Sequence, residues 1–187
     1  GRSIERKDSQ GMIEERARSR DEIEDVWGLD RSEVIDCIYY YEDDALVLKP
    51  EHYDMRGWLP GMPERAALQL EDCYDRGGWF HGLFDDGQLV GVAVLESKFM
   101  GRNGDQLHLT FMPVGSAYRD QGLGRRLFES ARAAARERGA KSLYISATPS
   151  EHTVNFYLGR GCRVTAEPDP ELFALEPEDI HLVCDVG

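Results

Sequence analysis

Arg119-Asp120-Gln121-Gly122-Leu123-Gly124 is the stretch most able to do chemistry. It lies between a strand-like segment and a strong helical pattern. A helix start presents unpaired backbone N–H groups and the positive end of the helix dipole. Glycines at 122 and 124 let an anion approach that backbone closely, so the turn is suited to phosphate and above all to pyrophosphate. Arg119, Arg125 and Arg126 add charge. A Walker loop is excluded because Gly-Lys-Ser/Thr is missing. A dinucleotide fold is disfavoured because Leu127 stands where a third glycine belongs. Glycines can also simply punctuate a helix start, and the turn alone leaves that reading open.

Around this turn the chain reads as a mixed α/β (α+β) layer fold on a mostly antiparallel sheet. Asp30 with Glu33 resembles a helix-start box, and Val34, Ile35 and Ile38 predict a helix ending near Tyr41. A short strand at 46–48 closes at Pro50. Pro63 opens a second helix that Gly77-Gly78 ends. Strands are expected at 79–84 and 89–99, joined through Asp85-Asp86-Gly87-Gln88, and again at 106–114. In 122–138, Leu123, Leu127, Ala131 and Ala135 recur every four residues and Gly139 caps the helix. A strand at 143–147, a short helix from Ser150 to Leu158, and strands at 162–166 and 180–186 around an acidic loop complete the order.

With 187 residues and 41% apolar content, one domain with a core is expected over 21–187. Residues 1–20 are polar and aperiodic, and read as a mobile arm or peripheral helix, with Met12 a candidate start and 1–11 left from expression. No secretory leader or apolar membrane span is visible. Cysteines at 37, 73, 162 and 184 are too scattered for a zinc site or a disulfide framework, and read as reduced thiols of a cytoplasmic protein. A net charge of −13 repels nucleic acid and anionic membranes, attracts cationic partners, and also serves solubility.

The motif Arg-x-x-Gly-x-Gly, with Tyr118 before it and Leu123 between the glycines, resembles the acyl-CoA loop of the GNAT superfamily of N-acetyltransferases. The downstream run Leu143-Tyr-Ile-Ser-Ala-Thr-Pro-Ser, then Asn155-Phe156-Tyr157, then Gly161-Cys162, resembles the next strand, helix and turn of that family. The resemblance covers residues 30–186 and implies a GNAT-like sheet of six to seven strands flanked by helices. It implies acetyl transfer from acetyl-CoA to a primary amine by direct attack in a ternary complex, with no metal.

Residue by residue, the resemblance puts pantetheine contacts on the main chain of Met112 and Val114. It puts the pyrophosphate on the backbone of Gln121, Gly122, Gly124 and Arg125, shaped by Arg119, and a further cofactor contact on Asn155. Ser116 and Ser150 depart from the family's usual Pro and Asn, and Ser150 reads equally as a helix cap. Tyr157 takes the place of the general acid: a phenol with a pKa near 10 can protonate the leaving thiolate. A backbone N–H near Val114 is the expected oxyanion donor. The family's usual strand Glu is here Thr110, so the base is sought in His108 or Glu33. A solvent-facing histidine and a capping glutamate are the plainer readings of these two. Arg31, Glu33, Tyr39, Tyr40, Trp58 and the acidic stretch 167–179 fall in the acceptor-shaping segments, which suggests a small-molecule or peptide amine, cationic in character. A non-catalytic acyl-CoA sensor, an unrelated nucleotide-phosphate protein, and homodimerisation through the last strands stay open.

Overall fold

The computed structural model describes residues 13–187. Their elements in chain order are β1 (Ile13–Ala17), a 3-10 helix (Arg20–Gly28), β2 (Glu33–Glu42), β3 (Ala45–Met55), α1 (Met62–Asp75), β4 (Trp79–Asp85) and β5 (Gln88–Leu95). There follow β6 (Gln106–Phe111), a 3-10 turn (Ser116–Tyr118), α2 (Leu123–Glu137), β7 (Ser142–Ala147), α3 (Glu151–Gly159), β8 (Arg163–Val164), α4 (Pro170–Leu175) and β9 (Ile180–Asp185). Seven strands form one sheet in the order β1-β4-β5-β6-β7-β9-β8, while β2 and β3 pair separately. Every neighbouring pair is antiparallel except β6 with β7.

The helix expected over 30–41 is instead the strand β2. Val34, Ile35 and Ile38 are β-branched and three tyrosines follow, a composition that suits a pleated surface better than a helix. Asp43 and Asp44 both adopt positive φ, 49° and 61°, giving the tight reversal that a two-residue hairpin needs. The paired β3 runs on through Pro50, where the short strand was expected to stop. Asp30 does not cap a helix: its carboxylate accepts the Ser32 N–H at 2.9 Å, closing a local turn.

The N-terminal arm also needs correction. Residues 13–17 form the edge strand β1, paired with β4 from Ile13↔Asp85 to Ala17↔His81. Arg18 is buried, and Glu22 accepts the Ser19 N–H at 3.0 Å at the start of the 3-10 helix. The domain therefore begins before residue 21, and the expectations for residues 1–12 lie outside the described residues. The acidic loop near the C-terminus holds a further unforeseen element, α4, whose N-cap Asp169 accepts the Leu172 N–H at 3.0 Å.

Two hydrophobic clusters sandwich the sheet. On one face α2 and α3 bury Leu123, Leu127, Phe128, Ala131 and Val154 against Leu95, Leu107 and Leu143. On the other, Ile23, Val26 and Leu29 pack with Leu70 and Cys73 of α1 against Phe80, Val92 and Val94. Arginines on the polar flank of α2 pin it to chain ends: Arg136 donates to Val186 O and Arg132 to Arg160 O, both at 2.6 Å. No described helix is long and apolar enough to cross a membrane.

Candidate active site

The sheet opens where β6 and β7 part. Their parallel pairing spans only 106–108 with 142–144. Beyond it β7 stays with β9, while β6 follows β5 and then runs through Pro113, which has no N–H to offer a ladder. Val92 N–H donates to Pro113 O and Gly115 N–H to Val90 O, both at 2.9 Å. The groups flanking Val114 thus face β5. By strand alternation, the N–H and C=O of Val114 itself point the other way, into the gap toward β7.

A cavity of about 360 Å³ occupies this opening. Met112 and Val114 form one side, Arg119, Gly122, Gly124 and Arg125 one end, and Thr153, Phe156 and Tyr157 of α3 with its C-cap Arg160 another side, with Arg31 and Glu33 completing the wall. Gly122 is the N-cap of α2 at φ 79°, which turns the loop so that the first helical N–H groups face the cavity. Asp120 also sits at positive φ, 62°. The turn is strapped from outside: Ser116 N–H donates to Asp30 O at 2.8 Å and Arg119 Nη1 to Ser32 O at 2.9 Å. Hydrogen bonds from Ser32 and Ser116 hold the Asp30 carboxyl down at about 2. Backbone donors, a helix start and two guanidiniums (Arg119 and Arg125) at one end, with an apolar strand edge beyond, fit a pyrophosphate followed by a pantetheine arm.

Tyr157 is buried, and its ring packs edge-on against Phe128 and Phe156 with centroids at 5.9 and 5.2 Å. Burial pushes its phenol well above the ordinary tyrosine value, nearby Cys162 adding to this and Arg31 opposing it. Its hydroxyl has no hydrogen-bond partner among the described residues.

Of the predicted site residues, Glu33, Met112, Val114, Arg119, Gly122, Gly124, Arg125 and Tyr157 line this one cavity. Gln121, Asn155 and His108 do not. Gln121 bonds through Nε2 to Ala117 O at 3.2 Å. Asn155 accepts the Tyr39 hydroxyl at 2.6 Å and lines a neighbouring pocket that meets the cavity at Glu33 and His152. His108 lies on β6 against Tyr144, ring centroids 6.0 Å apart, and burial holds its imidazole at about 4 despite Glu96 and Asp169 nearby. Ser150 is the N-cap of α3, but its hydroxyl bonds the Thr153 hydroxyl at 2.9 Å.

The acceptor-side expectation divides likewise. Arg31 and Glu33 line the cavity and Trp58 supports Arg31, whereas Tyr40 bonds Glu51 and none of residues 167–179 reaches the cavity. Sequence reasoning missed His152 and Arg160. Both fall at four-residue spacing from Phe156, His152 within α3 and Arg160 at its C-cap, a periodicity that marks the cavity face. Among the described residues no group of three or more His, Cys, Asp or Glu could hold a metal ion.

Comparison with known proteins agrees with this geometry. The fold resembles that of a nourseothricin acetyltransferase, with a TM-score of 0.71 and 22% identity over 94% of this chain and 99% of that one. It also resembles a Bacillus anthracis protein assigned as a streptothricin acetyltransferase and solved with acetyl coenzyme A, at TM-score 0.64 and 14% identity, covering 92% and 99%. A PaiA N-acetyltransferase from Thermoplasma acidophilum, solved with coenzyme A, gives 0.62 and 15%, covering 92% and 98%. No curated protein sequence matches significantly. The model of the Acetyltransferase (GNAT) family matches residues 33–161, from the first cavity-lining carboxylate to the turn after α3, and the chain belongs to that family.

Proposed function

We propose that the protein is an N-acetyltransferase that moves acetyl from acetyl-CoA to a primary amine by direct attack within a ternary complex. One observation carries this reading: a single cavity joins the helix-start anion turn, the inward-facing edge of Val114 and the Tyr157 ring. Arg119, Arg125 and the backbone of 122–125 hold the pyrophosphate, and the main chain at Met112 and Val114 holds the pantetheine arm. Glu33 takes the ammonium proton, directly or through water, and frees the nitrogen lone pair. The Val114 N–H stabilises the charge that develops on the thioester oxygen as the C–N bond forms. Tyr157 gives its proton to the sulfur as the C–S bond breaks, and the second proton that the nitrogen sheds on becoming an amide returns through water to the phenolate, so the products are an amide and free coenzyme A. Its raised pKa keeps the phenol protonated until that step. Glu33 suits the base better than His108 because it shares the cavity with Tyr157.

The four cysteines are free thiols, in keeping with a cytoplasmic site of action. Thiol release on mixing the protein and acetyl-CoA with a panel of primary amines tests the proposal. Release that depends on an amine, with an equal yield of N-acetyl product, is expected. Acetyl-CoA binding without release for any amine would instead favour a non-catalytic acyl-CoA sensor.

A further inference from the structure

Of the arginines lining the cavity, Arg31 and Arg160 are not supplied by the cofactor motif. Arg31 precedes β2 and lines the cavity near Tyr157. Its guanidinium is half-buried and makes no ion pair or hydrogen bond among the described residues. Burial pulls its pKa below the ordinary arginine value, with Arg119 acting the same way and Glu33 and Tyr157 opposing. A guanidinium held from water without a partner is costly, and a bound anion offsets that cost.

Arg31 is also held in place. It lies over the Trp58 ring, 4.8 Å from the centroid. Trp58 Nε1 donates to Leu29 O at 3.2 Å, and the ring meets Trp27 edge-on at 4.9 Å and Phe111 at 5.9 Å. A cation–π contact uses no N–H group of the guanidinium, which leaves those donors available for a two-pronged pair with a carboxylate.

The direction of approach separates acceptor from cofactor. Trp27, Trp58 and Phe111 pack on the sheet face covered by the 3-10 helix and α1. Met112, Val114, Phe156 and Tyr157 pack on the opposite face with α2 and α3. Arg31 is therefore delivered from the face opposite the pyrophosphate turn. An amine must reach the thioester carbon from a side the cofactor leaves open. Glu33, two residues along, supplies the matching carboxylate for an ammonium.

We propose that Arg31 binds a carboxylate on the acceptor, and that the acceptor is an amino acid or similar small amine carrying a carboxylate beside the reacting nitrogen. This rests on the transferase reading above and is opposite in sign to the cationic acceptor suggested by the acidic residues of the chain.

The test compares thiol release for free amino acids, for their carboxamides and for simple diamines at saturating acetyl-CoA. Free acids are expected to exceed amides and diamines in kcat/KM by roughly tenfold or more, the scale of one charge-assisted pair. Arg31→Gln should abolish that preference, chiefly through KM, and Arg31→Lys should restore part of it. Acetyl-CoA affinity of both variants, followed by calorimetry, should match the wild type. Amides or diamines that serve as well as acids would overturn the inference while leaving the transferase reading intact. Acetyl-CoA binding weakened by Arg31→Gln as much as acceptor binding would also overturn it, assigning the guanidinium to a cofactor phosphate. Release with no amine at all would overturn the transferase reading and this inference with it. Should Arg31→Gln fail to fold, the acid–amide comparison on the wild-type chain decides alone.

Discussion

Tyr157→Phe removes a single oxygen from a ring whose surroundings stay filled. The side chain is 8% exposed and packed edge-on between Phe128 and Phe156, so no cavity larger than the lost hydroxyl forms. That hydroxyl has no partner among the described residues, so its loss leaves no donor or acceptor stranded. Stability should stay level or rise by up to ~1 kcal/mol. Turnover should behave oppositely. A positioned general acid contributes about 10²–10⁴-fold, equivalent to ~3–5 kcal/mol of barrier. The assay pairs thiol release at saturating substrates with thermal melting and acetyl-CoA titration of the same preparation. The expected variant is slow, at least as stable as the wild type, and unchanged in acetyl-CoA affinity. Unchanged turnover would refute the role of Tyr157. A Tm several degrees lower would show instead that the hydroxyl is bonded in the folded protein.

Further outcomes follow from other parts of the structure. Gly122→Ala forces a Cβ onto a backbone at φ 79°, a strain of roughly 1–2 kcal/mol, so acetyl-CoA should bind about tenfold more weakly, while Gly122→Asn should lose less. Tyr144→Phe should behave opposite to Tyr157→Phe. Its buried hydroxyl accepts the Asp169 N–H at 2.9 Å and lies 2.7 Å from His181 Nδ1, so its loss strands two groups, at a cost of about 2–3 kcal/mol visible in denaturant melts. Burial pushes Asp179 up to about 6, Glu176 adding to the effect and the Ser146 hydroxyl opposing it. The folded chain therefore keeps a proton there that the unfolded chain, at its ordinary 3.8, has lost, so this group's contribution to stability falls as pH rises through that interval. Asp179→Asn should raise Tm by about 2–4 °C at pH 8 and leave it unchanged at pH 4.

The parts of the fold legible in the sequence were those where local pattern and tertiary demand agree. The four-residue spacing of Leu123, Leu127, Ala131 and Ala135 marked α2, and Asp86-Gly87, both at positive φ, marked the β4–β5 hairpin. Segment 30–42 misled because Val34, Ile35 and Ile38 fit both periods. The deciding turn uses two aspartates in place of the glycine that usually signals it. β1 was missed because an edge strand with one face in solvent carries few apolar residues, here Ile13 and Ala17. At the site, the motif residues were legible because the chemistry of a helix-start anion turn fixes both residue type and spacing. Arg31 fell in a segment read as acceptor-shaping. Its link to Trp58 spans 27 positions, so a local pattern could not show the contact. The tie from Tyr39 to Asn155 spans 116 positions, which kept it equally hidden.

Calorimetric titration of the protein with acetyl-CoA should give saturable binding at one site per chain, weakened about tenfold by Gly122→Ala and not displaced by ATP or NAD. No binding of acetyl-CoA, or displacement by ATP or NAD at comparable concentrations, would contradict the transferase reading.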